Sequence, residues 1–219
     1  MLRRLRAVVV VVALALVVTT AVLLWVLDVA VVPSASMEPT LQPGDRLLVR
    51  QTGADGVRRG DLVIFDGTGS FDPWVDRGPL ASAAARLGAL VGLPGAPREY
   101  VKRVVGLPGE RVACCDASGA LLVDGEPLAE PYLAPGTAPS EVRFDIRLGP
   151  GQLWVLGDAR DVAEDSRAHL GDPGGGVVPT ARVLGRVVAV AWPPGRTALL
   201  DDRPEDGTDG QGHAPGGLE

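Results

Sequence analysis

Tyr100-Val101-Lys102-Arg103-Val104-Val105-Gly106 is the stretch of this chain whose reading decides the fold. Its aromatic and β-branched residues favour an extended strand, and alternation along a strand puts Lys102 on one face with Tyr100 and Val104. Short apolar runs of the same kind, each bounded by Pro, Gly or Asp, recur at Arg46-Leu47-Leu48-Val49, at Asp61-Leu62-Val63-Ile64-Phe65, and over 120–123, 152–156 and 183–192. Asp124-Gly125, between Leu122-Val123 and Pro127-Leu128, is a hairpin-turn signal. The 29 Gly and 19 Pro interrupt helix wherever they fall. The expected body is therefore mainly β, and 46% hydrophobic residues over 219 positions suffice for a packed core.

Lys102 stands out chemically as well. It is the single lysine among 21 Lys plus Arg. An arginine stays protonated in a protein, whereas a lysine placed in an apolar pocket loses its proton readily enough to act as a base. The ordinary alternative for this segment is an edge-strand lysine in solvent. Histidine is scarce: only His169 and His213 occur. A Ser-His-Asp arrangement through His169 stays open by arithmetic, while two isolated histidines offer no spaced metal-ligand set. A net charge of -6 disfavours a nucleic-acid partner. The adjacent pair Cys114-Cys115 allows a vicinal disulfide or two thiols, and neither a metal cluster nor a long staple.

Outward from the β body, residues 7–27 are uncharged and follow Arg3, Arg4 and Arg6 in the segment 1–6. At ~1.5 Å per residue this run matches the ~30 Å hydrocarbon core of a bilayer. The positive-inside bias then puts residues 1–6 in the cytoplasm and everything after Asp28 outside, with Trp25 near the outer interface. The rival is a cleaved secretory signal, since Ser34-Ala35-Ser36 has small-x-small form; the run exceeds the usual h-region of about 7–15 residues, and Ser36 lies well past its end. Residues 31–200 form the extracytoplasmic domain, with insertions at about 67–98 and 114–145. Within the first, 80–93 is rich in Ala and Leu and reads as a short helix, on the membrane surface or in the core. Residues 201–219 are acidic, Gly/Pro-rich and without periodicity, which reads as a disordered tail.

Four segments in order carry a resemblance: Pro33-Ser34-Ala35-Ser36-Met37-Glu38-Pro39-Thr40, Arg59-Gly60-Asp61-Leu62-Val63-Ile64-Phe65, Tyr100 through Glu110, and Gly157-Asp158-Ala159-Arg160-Asp161 through Asp165-Ser166-Arg167. Together with the apolar run they resemble the sequence boxes of bacterial signal peptidase I. The resemblance implies a LexA-like antiparallel β-barrel core with a smaller inserted β cap, behind one transmembrane helix. It implies a Ser-Lys dyad, with Ser36 as nucleophile and Lys102 as general base, and needs no cofactor and no metal. Ser34 matches the position whose hydroxyl joins the nucleophile's own amide in stabilising the oxyanion. Val32, Met37, Leu41 and Val101 match positions lining the pockets for small residues before the cleavage site, and Tyr100 flanks the lysine. Asp165 and Arg167 match a supporting ion pair. The partners implied are signal peptides of secreted preproteins and the lipid bilayer, at the bacterial plasma membrane.

The last box departs from the family, which commonly has Asn where Ala159 and Val162 stand and Ser where Ala163 stands. That serine holds the catalytic amine in the family; here Ser166, water or backbone takes its place, or the amine is held less firmly. The departure motivates an alternative of another class, a catalytically weak membrane-tethered paralogue that binds peptides or regulates. A self-cleaving repressor with a similar dyad is disfavoured by the apolar span and the lack of a DNA-binding segment.

Overall fold

The computed structural model describes residues 11–12, 14–16, 27–51, 56–73 and 98–200. The apolar runs of the sequence are strands within a series of twelve: β1 (Leu27–Val31), β2 (Arg46–Arg50), β3 (Leu62–Asp66), β4 (Glu99–Gly106), β5 (Arg111–Cys114), β6 (Leu121–Val123), β7 (Glu126–Pro127), β8 (Phe144–Arg147), β9 (Gln152–Leu156), β10 (Val178–Pro179), β11 (Val183–Trp192) and β12 (Ala198–Leu199). Eight form one sheet in the order β1-β2-β11-β3-β4-β9-β10, with β12 also on β11; the other four form a second sheet ordered β7-β6-β5-β8.

The fold is mainly β and antiparallel, as expected. The first sheet is an open path among the described residues, and this corrects the expectation of a closed barrel. Its ends are β1, paired with β2, and the two-residue β10, paired with β9, and no pairing joins them. The inserted cap corresponds to the four-stranded sheet. Its hairpin turns at Asp124 (φ 50) and Gly125 (φ 90), where both central residues take the positive φ that a type I′ turn requires.

The unbroken Leu62-Val63-Ile64-Phe65 run becomes a strand buried on both faces. Leu62 and Ile64 enter a cluster with Leu47, Val49 and Val187, while Val63 and Phe65 enter another with Val104, Leu153, Val155 and Val178. Each such buried side chain contributes roughly 1.5–3 kcal/mol. The second sheet has its own cluster, of Val112, Leu121, Val123, Phe144 and Leu148, which takes in Trp154 and Leu156 of β9. Strand β9 is thus shared between the two cores and sets the cap against the main sheet.

Residues 11–12 and 14–16 of the apolar run are helical, and Leu27 already begins β1. The rest of 7–26, most of the 67–98 insertion including 80–93, and the tail 201–219 lie outside the described residues. Among the described residues no helix is long and apolar enough to cross a membrane.

Candidate active site

After β1 the chain turns sharply over Ser34 to Leu41. The Glu38 amide donates to the Ala35 carbonyl at 3.0 Å and the Leu41 amide to the Met37 carbonyl at 2.9 Å. Val32, Met37 and Leu41 fill the core beneath this turn, the last two with no exposure at all. Their burial fixes the turn from below and leaves Ser34 and Ser36 on its open side. The two hydroxyls are 3.2 Å apart, and among the described residues the Ser36 amide has no acceptor.

Strand β4 delivers the second group. Lys102 lies opposite Val63 of β3 and is only 4% exposed. Its Nζ donates to Ser36 Oγ at 2.8 Å, across 66 residues of sequence. Burial holds this amine below the ordinary lysine range, and the acidic residues Asp165, Glu164 and Asp158 oppose that effect without cancelling it. A desolvated amine in contact with a hydroxyl has what a proton acceptor needs, reach and a reduced affinity for its own proton.

The loop after β9 closes the site from the side. Gly157 lies so near the serine turn that a Cβ there would be 2.5 Å from the Ser36 carbonyl oxygen and 2.3 Å from the Ala163 methyl. The Ala159 amide donates to the same Ser36 carbonyl at 3.2 Å. Asp165 and Arg167 form a buried ion pair at 2.8 Å, and Asp165 also accepts the Gly157 amide at 3.0 Å. Ser166 accepts the Val155 amide at 3.1 Å, so its oxygen is engaged with β9. Among the described residues Ser36 is the hydrogen-bond partner of the Lys102 amine, and the position of Ala163 supplies none.

A cleft of about 590 Å³ opens over the pair, lined among others by Ser34, Ser36, Tyr100, Val101, Lys102 and Val162. The structure thus brings together Ser34, Ser36, Lys102, Tyr100 and Val101. Val32, Met37 and Leu41 lie below, in the core, and are not on the cleft wall. Tyr100 leans on Phe65 and Phe71, with ring centroids 5.8 and 5.3 Å away. His169 is elsewhere: its ring stacks on Phe71, its Nδ1 meets Asp172 at 2.7 Å, and it does not line the cleft. Cys114 and Cys115 are joined in a disulfide at the end of β5.

Reading the sequence alone missed a buried polar cluster behind the pair. Arg103, next to Lys102 but on the opposite strand face, grips Asp158 through Nε at 2.8 Å and Nη2 at 2.6 Å. Thr40 donates to the same carboxylate at 2.6 Å. Arg103 also lies 3.9 Å from the ring centre of Tyr132. A charge alternating with apolar residues inside a core strand was the available signal for Arg103; Tyr132 sits in a stretch without periodicity and gave none.

A serine hydroxyl in contact with a desolvated lysine beside an open cleft, on an antiparallel β scaffold, has the groups that nucleophilic acyl transfer requires. The chain belongs to the family described as signal peptidase, peptidase S26, whose model matches residues 2–192. It is similar to the "Probable signal peptidase I" of Mycobacterium leprae, 34% identical over 198 residues that make up 75% of this chain and 68% of that one. It is equally similar to the "Signal peptidase I" of Mycobacterium tuberculosis, 34% identical over 195 residues covering 77% and 66%. A "Signal peptidase I" of Leptolyngbya laminosa is 31% identical over 183 residues, covering 82% and 76%. The chain therefore spans about two thirds of the length of the mycobacterial relatives. A crystal structure of a signal peptidase I from Enterococcus faecalis is 23% identical with a TM-score of 0.38, covering 59% of this chain and 95% of that one.

Proposed function

We propose that this chain is a signal peptidase I, a membrane-bound serine endopeptidase that removes N-terminal signal peptides from exported preproteins. The observation that carries the reading is the 2.8 Å contact between the Lys102 amine and the Ser36 hydroxyl oxygen. Once neutral, that amine accepts the Oγ proton as Oγ attacks the scissile carbonyl carbon. The resulting oxyanion is received by the Ser36 amide and the Ser34 hydroxyl. Losing one such donor typically costs about 10²–10³ in rate. The protonated amine then hands its proton to the departing amine of the mature protein, leaving an acyl ester on Ser36. Water, deprotonated by Lys102, hydrolyses that ester in the second half of the cycle.

Tyr100 and Val101, on the cleft wall, would meet the small residues before the cleavage point. Val32, Met37 and Leu41 contribute by fixing the floor of that wall. Asp165 and Arg167 brace the loop that backs Ser36. A membrane anchor over 7–27 with a cytoplasmic N-terminus suits a substrate that is itself membrane-inserted. Val31 and Trp192, which are 60% and 51% exposed and both pair with Arg46, add an apolar margin just beyond that segment.

The test is cleavage of a purified preprotein by the full chain in detergent, with Ser36→Ala and Lys102→Arg as controls. Cleavage by wild type and by neither variant is expected. Absence of cleavage by wild type where a known signal peptidase cuts would overturn this reading and favour a weak, peptide-binding paralogue.

A further inference from the structure

Two arginines hold the corner made by Gly157 and Asp158, and both are themselves held from the connection between β7 and β8 of the second sheet. Arg160 donates through Nε to the Gly157 carbonyl at 2.9 Å. Its Nη1 reaches the Pro139 carbonyl at 2.5 Å and Glu130 Oε2 at 3.2 Å, and its Nη2 pairs with Glu130 Oε1. Arg103 grips Asp158, as described above. Tyr132 joins the two, because its hydroxyl donates to Glu130 Oε1 at 2.7 Å while its ring lies over Arg103.

Side-chain exposures of 2% for Arg160, 4% for Glu130 and 0% for Asp158 make this a dry cluster. Two guanidinium groups face two carboxylates, so its charge balances. Burial, with the negative charge of Glu130 beside it, pushes the Tyr132 phenol far above its usual range, so it stays a hydrogen-bond donor. Neither Glu130 nor Tyr132 lines the cleft.

We propose that Glu130 and Tyr132 are positioning residues for the Ser36–Lys102 pair, acting through Arg160 and Arg103. The inference rests on the peptidase reading of that pair. Without the Glu130 charge, Asp158 is the carboxylate left in the cluster to serve both arginines. Its hold on Thr40 and Arg103 then loosens. Thr40 lies four residues after Ser36 in the serine turn, Arg103 is bonded in sequence to Lys102, and Gly157 packs on the Ser36 carbonyl. Disturbance of the cluster therefore arrives at both reacting groups by short, rigid routes.

The test exploits the single lysine. Full-length protein grown with ¹³Cε-lysine gives one lysine resonance, that of Lys102, whose position and titration report the amine directly. Glu130→Gln is expected to lower kcat by about 10–100-fold, the scale of a misplacement approaching 1 Å, with KM within about threefold. It is also expected to move the lysine resonance and its titration midpoint, although Glu130 does not line the cleft. Unchanged kcat with an unchanged lysine signal, even beside a lowered Tm, would overturn the inference and leave Glu130 a purely structural residue. Should Glu130→Gln fail to fold, Tyr132→Leu removes the ring over Arg103 at similar volume; a drop in kcat and a moved lysine signal support the inference, and wild-type behaviour overturns it. If wild type cleaves nothing, the peptidase reading fails on its own, and the lysine resonance still decides whether the second sheet is coupled to Lys102.

Discussion

Gly157→Ala is the substitution whose effect follows most directly from the geometry. Gly157 is not among the glycines with positive φ, so space decides the outcome. The added Cβ would lie 2.5 Å from the Ser36 carbonyl oxygen, short of the 3.4 Å of ordinary contact by about 0.9 Å, and 2.3 Å from the Ala163 methyl. Neither neighbour is the free end of a flexible side chain, so backbone must move. The Ala159 amide and the Asp165 carboxylate pin the same loop to Ser36 and to Gly157, which directs the movement into the serine turn. Overpacking of this kind costs about 1–3 kcal/mol of stability. A shift near 1 Å at the nucleophile costs on the order of 10² in rate. The assay is kcat on a signal-peptide substrate, read beside the Tm and the Lys102 resonance of labelled protein. Adding Ala163→Gly removes the contact at 2.3 Å but leaves the one with Ser36, so the double variant is expected to stay impaired. A Gly157→Ala protein within about threefold of wild-type kcat, or full recovery in the double variant, would refute the reasoning.

Further outcomes are expected at four positions. Because burial lowers the Lys102 amine, activity should rise with pH through a midpoint below the ordinary lysine value of 10.5 and be lost as the pH falls through it. In stability the unfolded chain binds more protons between the two midpoints, so stability gains with pH across that window, and Lys102→Met should abolish this slope in denaturation curves. Asp165→Ala leaves Arg167 buried without its carboxylate and the Gly157 amide without an acceptor, at a cost of about 3–5 kcal/mol measurable by urea denaturation. Asp145→Ala breaks the Arg111–Asp145 pair, whose side chains are 57% and 52% exposed, and should leave the midpoint almost unchanged in the same measurement. Ala163→Ser restores the hydroxyl that the family places near the amine; a rise in kcat is expected, and an unchanged kcat would mean that the contact with Ser36 already holds Lys102 in place.

The strands with long apolar runs were legible because their burial is written locally. Leu62-Val63-Ile64-Phe65, bounded by Asp61 and by Asp66-Gly67, reads as a strand, and Asp124-Gly125 reads as a hairpin turn. Strands β1, β5, β8, β10 and β12 were not legible, being short or mixed in polarity and stabilised by the neighbour they pair with. The expected pocket residues show the same limit. Val32, Met37 and Leu41 are apolar in any reading, but only packing determines whether an apolar side chain faces a cleft or a core, and here the serine turn folds over them. The Glu130–Arg160 and Arg103–Asp158 pairs were illegible because sequence distance hides contact across 30 and 55 residues.

By itself the sequence determined that Lys102 is chemically singular and that Ser36 sits in a recognisable sequence box. A lone lysine among arginines and an ordered set of boxes survive without coordinates. Only the tertiary structure decided that the amine meets the hydroxyl and what surrounds the two. Burial lowers the amine's proton affinity only when β3, β4 and the loop after β9 exclude water together, and a 2.8 Å contact across 66 residues exists only once those strands have paired.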